Sequence, residues 1–353
     1  MVENSIETDL AEQIQIAYAN ASPVLITGGG SKSFYGETIT GFELDVSLNT
    51  GVIDYDPAEL VITVRGGTKL SEVKSLLAEQ GQILGFEPPE FGENATVAGA
   101  IASGLCGPRR AYAGNVRDFI LGIKMIDGQG QVLSFGGRVI KNVAGFDLSR
   151  VMAGSLGSLG VILEASIKVI PAYEIEKTLR FQHEKANDHI QWINQLAGRP
   201  HPISASLWNQ GTSWIRLSGS EQGIGEAQNR LGGEIVEDIW TSIREQTHHF
   251  FVDAPMLTRV SIKPATGHFD IESSPQMIEW GGAQRWMNEN ISVENLRRQL
   301  EPTGGTVCAF QNHPSDTAVF NPLPASILAL QQRLKKSFDP AGILNPGKLY
   351  PEL

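Results

Sequence analysis

The residues whose spacing suggests chemistry in this chain are mostly glycines. Pro23-Val24-Leu25-Ile26 is a short apolar run of β-forming residues, and it ends abruptly in Thr27-Gly28-Gly29-Gly30-Ser31-Lys32-Ser33. A buried strand opening into three glycines presents backbone N–H groups with no side chain in front of them, which is how a protein cradles a diphosphate. Two better-known phosphate loops are excluded by single residues. The Walker pattern needs Gly directly before its Lys, where this chain has Ser31; the Rossmann fingerprint needs Gly or Ala where it has Ser33. A Val at Gly29 is expected to abolish anion binding, because its branched side chain would stand where the anion lies.

Two further stretches carry little side chain of their own. Ala95-Thr96-Val97-Ala98-Gly99-Ala100-Ile101-Ala102-Ser103-Gly104 is nearly all small residues, so either another element or a flat ligand packs against its backbone. Gly154-Ser155-Leu156-Gly157-Ser158-Leu159-Gly160 is a second glycine loop, running straight into Val161-Ile162. Groups able to move protons are sparse. His313, with Arg259 and Lys263 as carboxylate clamps, is the one base-and-cation set the sequence offers, and each of the three also reads as an ordinary polar surface residue. Between Leu105 and Arg150, the bases Arg109, Arg110, Arg117, Lys124, Arg138, Lys141 and Arg150 face only Asp118, Asp127 and Asp147, a phosphate-holding segment or a solvated strand face. Two cysteines, Cys106 and Cys308, cannot make a disulfide framework or a four-ligand cluster, and no metal site is expected.

The elements that must position these groups follow from pattern. Asp9 and Glu12 suggest a capped helix start, with Leu10, Ile14 and Ala17 on one face. Strands are expected at Val24 to Thr27, Glu43 to Leu48 and Leu60 to Val64, with Asp54-Tyr55-Asp56-Pro57 as a turn. A helix capped by Thr68 buries Leu70, Val73, Leu76 and Leu77 and stops at Gly81. The Gly85–Gly92 stretch holds Pro88 and Pro89 and is irregular. Phe119 to Asp127 and Gln131 to Phe135 form a hairpin, Asp147 to Ala153 a short helix, and Val161 to Ile170 a long strand ended by Pro171. Past Pro171 all seven histidines and all six tryptophans appear. Strands at Ile203 to Trp208, Trp214 to Leu217 and Leu257 to Lys263 alternate there with helical runs at Ala186 to Leu196, Gly225 to Leu231 and Val293 to Leu300. A helical tail follows from Pro324 to Phe338.

A length of 353 residues favours two domains, and 41% hydrophobic with 19% charged residues is the balance of a folded soluble chain. A net charge of −11 argues against nucleic acid or an anionic membrane as a general partner. No apolar run approaches the ~18 residues of a spanning helix, and the start lacks a basic region before an apolar core. The expected location is cytoplasmic, at most peripheral to the inner membrane through partners.

Taken in order, the Gly28–Ser33 turn, the Thr96–Gly104 run, Gly137-Arg138-Val139-Ile140-Lys141-Asn142-Val143-Ala144-Gly145-Phe146-Asp147-Leu148, the Gly154–Gly160 loop and Phe338-Asp339-Pro340-Ala341-Gly342-Ile343-Leu344-Asn345-Pro346-Gly347-Lys348 resemble the vanillyl-alcohol-oxidase type of FAD enzyme. More closely, the chain resembles the family of small FAD-binding E subunits of glycolate oxidase, partners of a larger FAD-binding D subunit and an iron–sulfur F subunit. The resemblance spans nearly the whole chain. It implies an α+β protein: a PCMH-type FAD-binding domain of two α/β subdomains (1–171), a smaller α+β cap or substrate-like domain (172–312), and a C-terminal tail (313–353) packing back on the FAD domain.

The resemblance also implies where FAD would lie. The diphosphate would rest on Thr27, Gly28, Gly29, Gly30, Ser31, Lys32 and Ser33. The ring and ribityl chain would pass Pro88, Thr96, Gly99, Ala102, Ser103 and Gly104. The adenine side would meet Gly160, Val161 and Ile162, with Tyr112, Gly114 and Asn115 nearby. Some relatives hold flavin through a histidine near the first glycines; no histidine precedes His183 here, so FAD is expected to be non-covalent, and Cys106 is read as a buried, inert thiol. Catalytic 2-hydroxy-acid dehydrogenases of the group resemble one another in a His-rich stretch with Gly-Asp-Gly-Asn. The corresponding region here, Thr303 to His313, has one histidine and no such acid.

The implied function is that of a FAD-binding subunit of a complex oxidising glycolate, a 2-hydroxy acid, to glyoxylate, acting in electron transfer or assembly. Two alternatives stand beside it: a self-sufficient FAD-dependent 2-hydroxy-acid dehydrogenase, and a scaffold that has kept the flavin fold without the flavin.

Overall fold

The computed structural model describes residues 3–137, 146–269 and 276–353. Most of the expected Gly137–Leu148 motif, including Arg138 and Lys141, lies outside them. The chain divides into two compact units, each described by itself: residues 1–105, 115–172 and 322–353, and residues 106–114 with 173–321. The first unit is thus assembled from three stretches, and Cys106–Gly114 sorts with the second.

The first unit opens with helix α1 (Glu3–Ala19). Leu10, Ile14 and Ala17 form its buried face, at 2%, 0% and 5% exposure. Asp9 is not its cap: the helix begins at Glu3, and the Asp9 carboxylate accepts from the Gln13 side chain one turn on. Strand β1 (Val24–Thr27) pairs in parallel with β2 (Phe42–Asp45), Val24 opposite Phe42. Val52–Asp56 (β3) and Val61–Arg65 (β4) pair antiparallel. The expected Asp54–Pro57 turn is therefore a strand up to Asp56, and the turn follows it, closed by Ala58 and Glu59 donating to Asp56 Oδ1. Val52, Asp54 and Asp56 sit exposed on this edge strand, which is why charge stands where a buried strand would carry Val or Ile.

The five-stranded sheet runs β3, β4, Val161–Lys168, Ile120–Ile126, Val132–Gly136, each neighbour antiparallel. Helix α2 (Leu70–Glu79) buries Leu70, Val73 and Leu77. Thr68 does not cap it. Lys69 occupies that place without a side-chain bond, and the Thr68 hydroxyl is spent on Gly51, accepting from its N–H at 2.9 Å. The small-residue run is helix α3 (Val97–Ser103), capped by Thr96, whose Oγ1 accepts from Gly99 N, and ended by Gly104 in the left-handed region.

The C-terminal stretch belongs to this unit. Helix Ala325–Phe338 is followed by an extended segment beside β1: Val24 N donates to Ile343 O at 2.7 Å and Asn345 N to Val24 O at 2.9 Å. Ile343 and Leu344 thereby enter a core with Leu10, Ile14, Val24, Leu44, Val161 and Leu163. Each such fully buried aliphatic side chain contributes about 1.5–3 kcal/mol. Lys335, buried, donates to Asp339 and to the carbonyls of Ser158 and Leu344, and Asp339 accepts from the N–H groups of Ile343 and Leu344. A buried ion pair whose spare donors and acceptors are all met on backbone fixes the path of the chain at this corner.

The second unit is an eight-stranded sheet, antiparallel at every pairing, with the helices Ala186–Ala197, Glu221–Leu231 and Val293–Leu300. Five of its strands, Ile175–Gln182, Glu234–Val236, Gln276–Glu279, Gln284–Met287 and Thr306–Gln311, have no counterpart in the expected strands. Their buried positions include Glu279, Gln284 and Arg285, polar residues that break the apolar pattern and find partners inside.

Candidate functional site

The Gly28–Ser33 turn, α3, the Leu156–Gly160 loop and the C-terminal segment line one cavity of about 360 Å³ in the first unit. Its walls are held by specific bonds. The Asn345 side chain accepts from Ile26 N through Oδ1 at 2.8 Å and donates to Leu156 O through Nδ2 at 2.7 Å, tying the floor strand to the second glycine loop. Thr96 Oγ1 would lie 3.1 Å from a Cβ on either Gly28 or Gly99, so the turn and the helix start close on one hydroxyl. Among the described residues, the backbone N–H groups of Gly28, Gly29, Gly30 and Ser31 donate to nothing. Gly28, Gly29 and Ser31 are half-buried and Gly30 is exposed, and four such donors in succession on a tight turn suit the oxygens of a diphosphate.

The lining contains Lys32 and Lys348 and no acidic residue, a formal charge of +2 inside a chain of net −11. Lys32 donates to Ser31 Oγ and to Glu90 O, and lies 5.5 Å from the Phe91 ring centre. Lys348 donates to Ser33 O at 3.2 Å, and burial pulls its ammonium below the usual lysine range while Glu37 opposes the shift.

Of the residues expected at the ligand, Thr27, Gly28, Gly29, Gly30, Ser31, Lys32, Ser33, Thr96, Gly99, Ala102, Ser103, Gly160 and Ile162 line this cavity. Val161 does not; it is packed into the core beneath. Pro88 is absent from the walls, and Gly104 serves as the left-handed end of α3, too close to Gly154 for a Cβ at 3.0 Å. Asn115 is the cap of a short helix, in a capping box with Asp118. Tyr112 and Gly114 belong to the second unit, where the Tyr112 hydroxyl meets Ser206 and its enclosure pushes the phenol's pKa up. The basic run also goes elsewhere: Arg109 pairs with Glu176 and Lys124 with Glu7 and Glu164. Asn345, Lys348, Leu156 and Gly157 line the cavity without having been expected there. The Asn-Pro-Gly-Lys turn was visible in sequence, but nothing local connects it to a strand more than 300 residues earlier.

His313, Arg259 and Lys263 are not brought together. His313 Nε2 lies 3.2 Å from Thr258 Oγ1 and 3.1 Å from Leu257 O. Burial lowers the His313 pKa, against the bond to Leu257. Arg259, the next residue on strand Leu257–Ser261, points to the other face of the sheet, over the rings of Phe310 and Trp286. Lys263 is exposed beyond the end of that strand. Cys106 is half-buried rather than buried. No cluster of three or more metal-ligating side chains occurs among the described residues, and no described helix is long and apolar enough to cross a membrane.

A different histidine group lies in the second unit. His183 and His189 both address Ser213 Oγ through Nδ1, at 2.9 and 2.8 Å. His189 is fully buried, and desolvation with the neighbouring His183 brings its pKa to about 3. It is a neutral core group, with no opening to a substrate among the cavities described.

Comparison with known proteins agrees with this geometry. The FAD binding domain family matches residues 2–136, and the C-terminal domain family of FAD linked oxidases matches residues 324–349, the stretch that carries Asn345 and Lys348. The glycolate oxidase subunit GlcE of Escherichia coli is 41% identical over 98% of this chain and 97% of its own length. A D-lactate dehydrogenase of Anaerostipes hadrus is 28% identical over 56% of this chain and 41% of its own, and the glycolate oxidase subunit GlcD of Bacillus subtilis 26% over 58% and 44%. Among solved structures, an alkyldihydroxyacetonephosphate synthase superposes with a TM-score of 0.65 at 15% identity, covering 96% of this chain and 74% of that one, a likeness of fold. An end-to-end relative at that identity, together with the FAD binding domain match, makes this chain a member of the glycolate oxidase E-subunit family of FAD-linked oxidases, an oxidoreductase subunit whose cofactor is FAD.

Proposed function

We propose that this chain is the FAD-binding subunit of a glycolate oxidase complex that converts glycolate to glyoxylate, working with a larger FAD-binding D subunit and an iron–sulfur F subunit. FAD would be held without a covalent bond in the cavity of the first unit. The N–H groups of Gly28 to Ser31 would meet its diphosphate, and α3, with Gly99 and Ala102 toward the cavity, would admit the flat part of the molecule. When bound, FAD supplies a group that accepts and releases two electrons. The observation that carries the reading is the row of unpaired turn donors in a cavity lined by lysines alone among charged residues.

The partition of roles within the complex rests on the second unit. Oxidation of a 2-hydroxy acid needs a base near the hydroxyl and a cation on the carboxylate, acting on one substrate. His313 and Arg259 lie on opposite faces of their sheet, and His313 is engaged by Leu257 and Thr258. This favours a subunit that relays electrons or completes the assembly over a self-sufficient dehydrogenase.

The test is direct. The purified full-length chain, stripped of flavin and titrated with FAD, is expected to take up one equivalent and show a protein-bound flavin absorbance band. Glycolate or D-lactate is expected to leave that band unbleached until the D subunit is added. Bleaching by glycolate in the isolated chain would establish the dehydrogenase alternative; a chain that takes up no FAD would establish the scaffold.

A further inference from the structure

Lys348 stands apart from the other charged groups of the cavity. The two sides of the anion cradle come from opposite parts of the sequence, the Gly28–Ser33 turn and the segment Asn345–Lys348, and the second is fastened onto the first with unusual closeness. Glu37 N donates to Lys348 O at 2.9 Å, and a Cβ on Gly36 would lie 2.8 Å from that oxygen and 3.2 Å from Lys348 Cε. Gly36, at φ +91°, is thus a residue whose missing side chain lets the tail lysine reach the turn. Its ammonium ends on Ser33 O, at the rim of the turn whose first four N–H groups, Gly28 to Ser31, meet no acceptor among the described residues.

Lys348 is half-removed from water, no carboxylate lines the cavity, and Glu37, which acts on it from outside those walls, offsets the effect of burial only in part. Lys32 is the lesser candidate, since its ammonium is directed to Glu90 O and the Phe91 ring on the side wall.

We infer that Lys348 is a ligand-binding residue, the cation that the C-terminal segment delivers to the diphosphate of FAD, completing electrostatically the cradle that the glycine turn builds from backbone. This rests on the reading of the cavity as the FAD site. The lowered pKa of the lysine accords with it, because a bound anion would oppose the burial that lowers it.

The experiment compares the wild-type chain, Lys348→Met and Lys348→Arg, each stripped of flavin, by titration with FAD, ADP and riboflavin. A charge-assisted bond to phosphate is worth about a tenfold to hundredfold change in affinity. Lys348→Met is therefore expected to bind FAD and ADP at least about tenfold more weakly, with riboflavin, which has no phosphate, unchanged; Lys348→Arg should recover most of the loss. Equal weakening toward riboflavin, or no weakening toward FAD in a chain that does bind it, would overturn the inference and leave the FAD reading standing. Absence of FAD binding by the wild type would remove both. Should the Met variant fold poorly, acetylation footprinting of the wild type decides: ADP is expected to protect Lys348 from acetic anhydride, and unaltered labelling would refute the contact.

Discussion

At the scale of single residues, the glycines of the first turn do different jobs although the sequence writes them identically. A Cβ on Gly30 would meet nothing within 4 Å, whereas one on Gly29 would fall 1.5 Å from Asn94 O. The constraint at Gly29 is therefore the backbone of the Gly92–Ala95 turn packed behind it, not the volume of an anion in front. Even Ala should displace that turn, so Gly29→Ala, and not only Val, is expected to lower the melting temperature and the FAD affinity together. A Gly29→Ala chain with an unchanged melting temperature and weakened FAD would return the constraint to the ligand side. What the sequence made visible here was the presence of a turn needing bare backbone; which neighbour demanded it was invisible, because Asn94 is 65 residues further on.

At the scale of elements, helix Ala186–Ala197 shows how a polar group can be structural. Its His189 is buried against Ser213 of the strand Thr212–Gly219, neutral, with a folded pKa of about 3 against 6.5 in the unfolded chain. Between those values the unfolded chain binds the extra proton, so stability falls as the pH falls. By pH 5 the loss from this one group is about 2 kcal/mol. Urea unfolding at pH 7.5 and pH 5 should show the wild type losing about that much more than His189→Asn, which keeps a hydrogen-bonding atom near Nδ1 and cannot titrate; equal losses would mean that His189 is reached by water. Clustering of all histidines after His183 was plain in sequence, and it offered a base for catalysis. Only the register of strands tells a histidine that faces Ser213 in the core from one that faces substrate. The elements most legible beforehand, α1, β1, β4, α2 and the hairpin after Phe119, are those with an uninterrupted apolar period. Two of the missed strands, Gln276–Glu279 and Gln284–Met287, bury Glu279, Gln284 and Arg285, where partners inside the sheet override the pattern.

At the scale of the whole molecule, the first unit is discontinuous, and its last stretch both packs into the core and lines the cavity. Ile343 and Leu344 are 1% and 0% exposed, and the extended segment around them hydrogen-bonds along β1. A chain ending at Asn321 is expected to lose FAD binding outright and to expose the core around Leu10, Ile14 and Val24, measurable as dye binding and aggregation; a soluble truncated chain that retained FAD would show that the tail is dispensable. The glycine turn, the small-residue helix and the second glycine loop could be read from their own residues. The lysine and asparagine that join them could not, since the bonds from Asn345 to Ile26 and Leu156 span separations that no local pattern encodes. That same closure has a consequence for the order of events in the cell. A nascent chain that holds the glycine turn and α3 holds only part of the cavity wall, because the segment Ile343–Lys348 that joins them is translated much later. Flavin capture is then expected to require synthesis through Lys348, and an interrupted product lacking that segment is expected to bind FAD far more weakly than the whole chain.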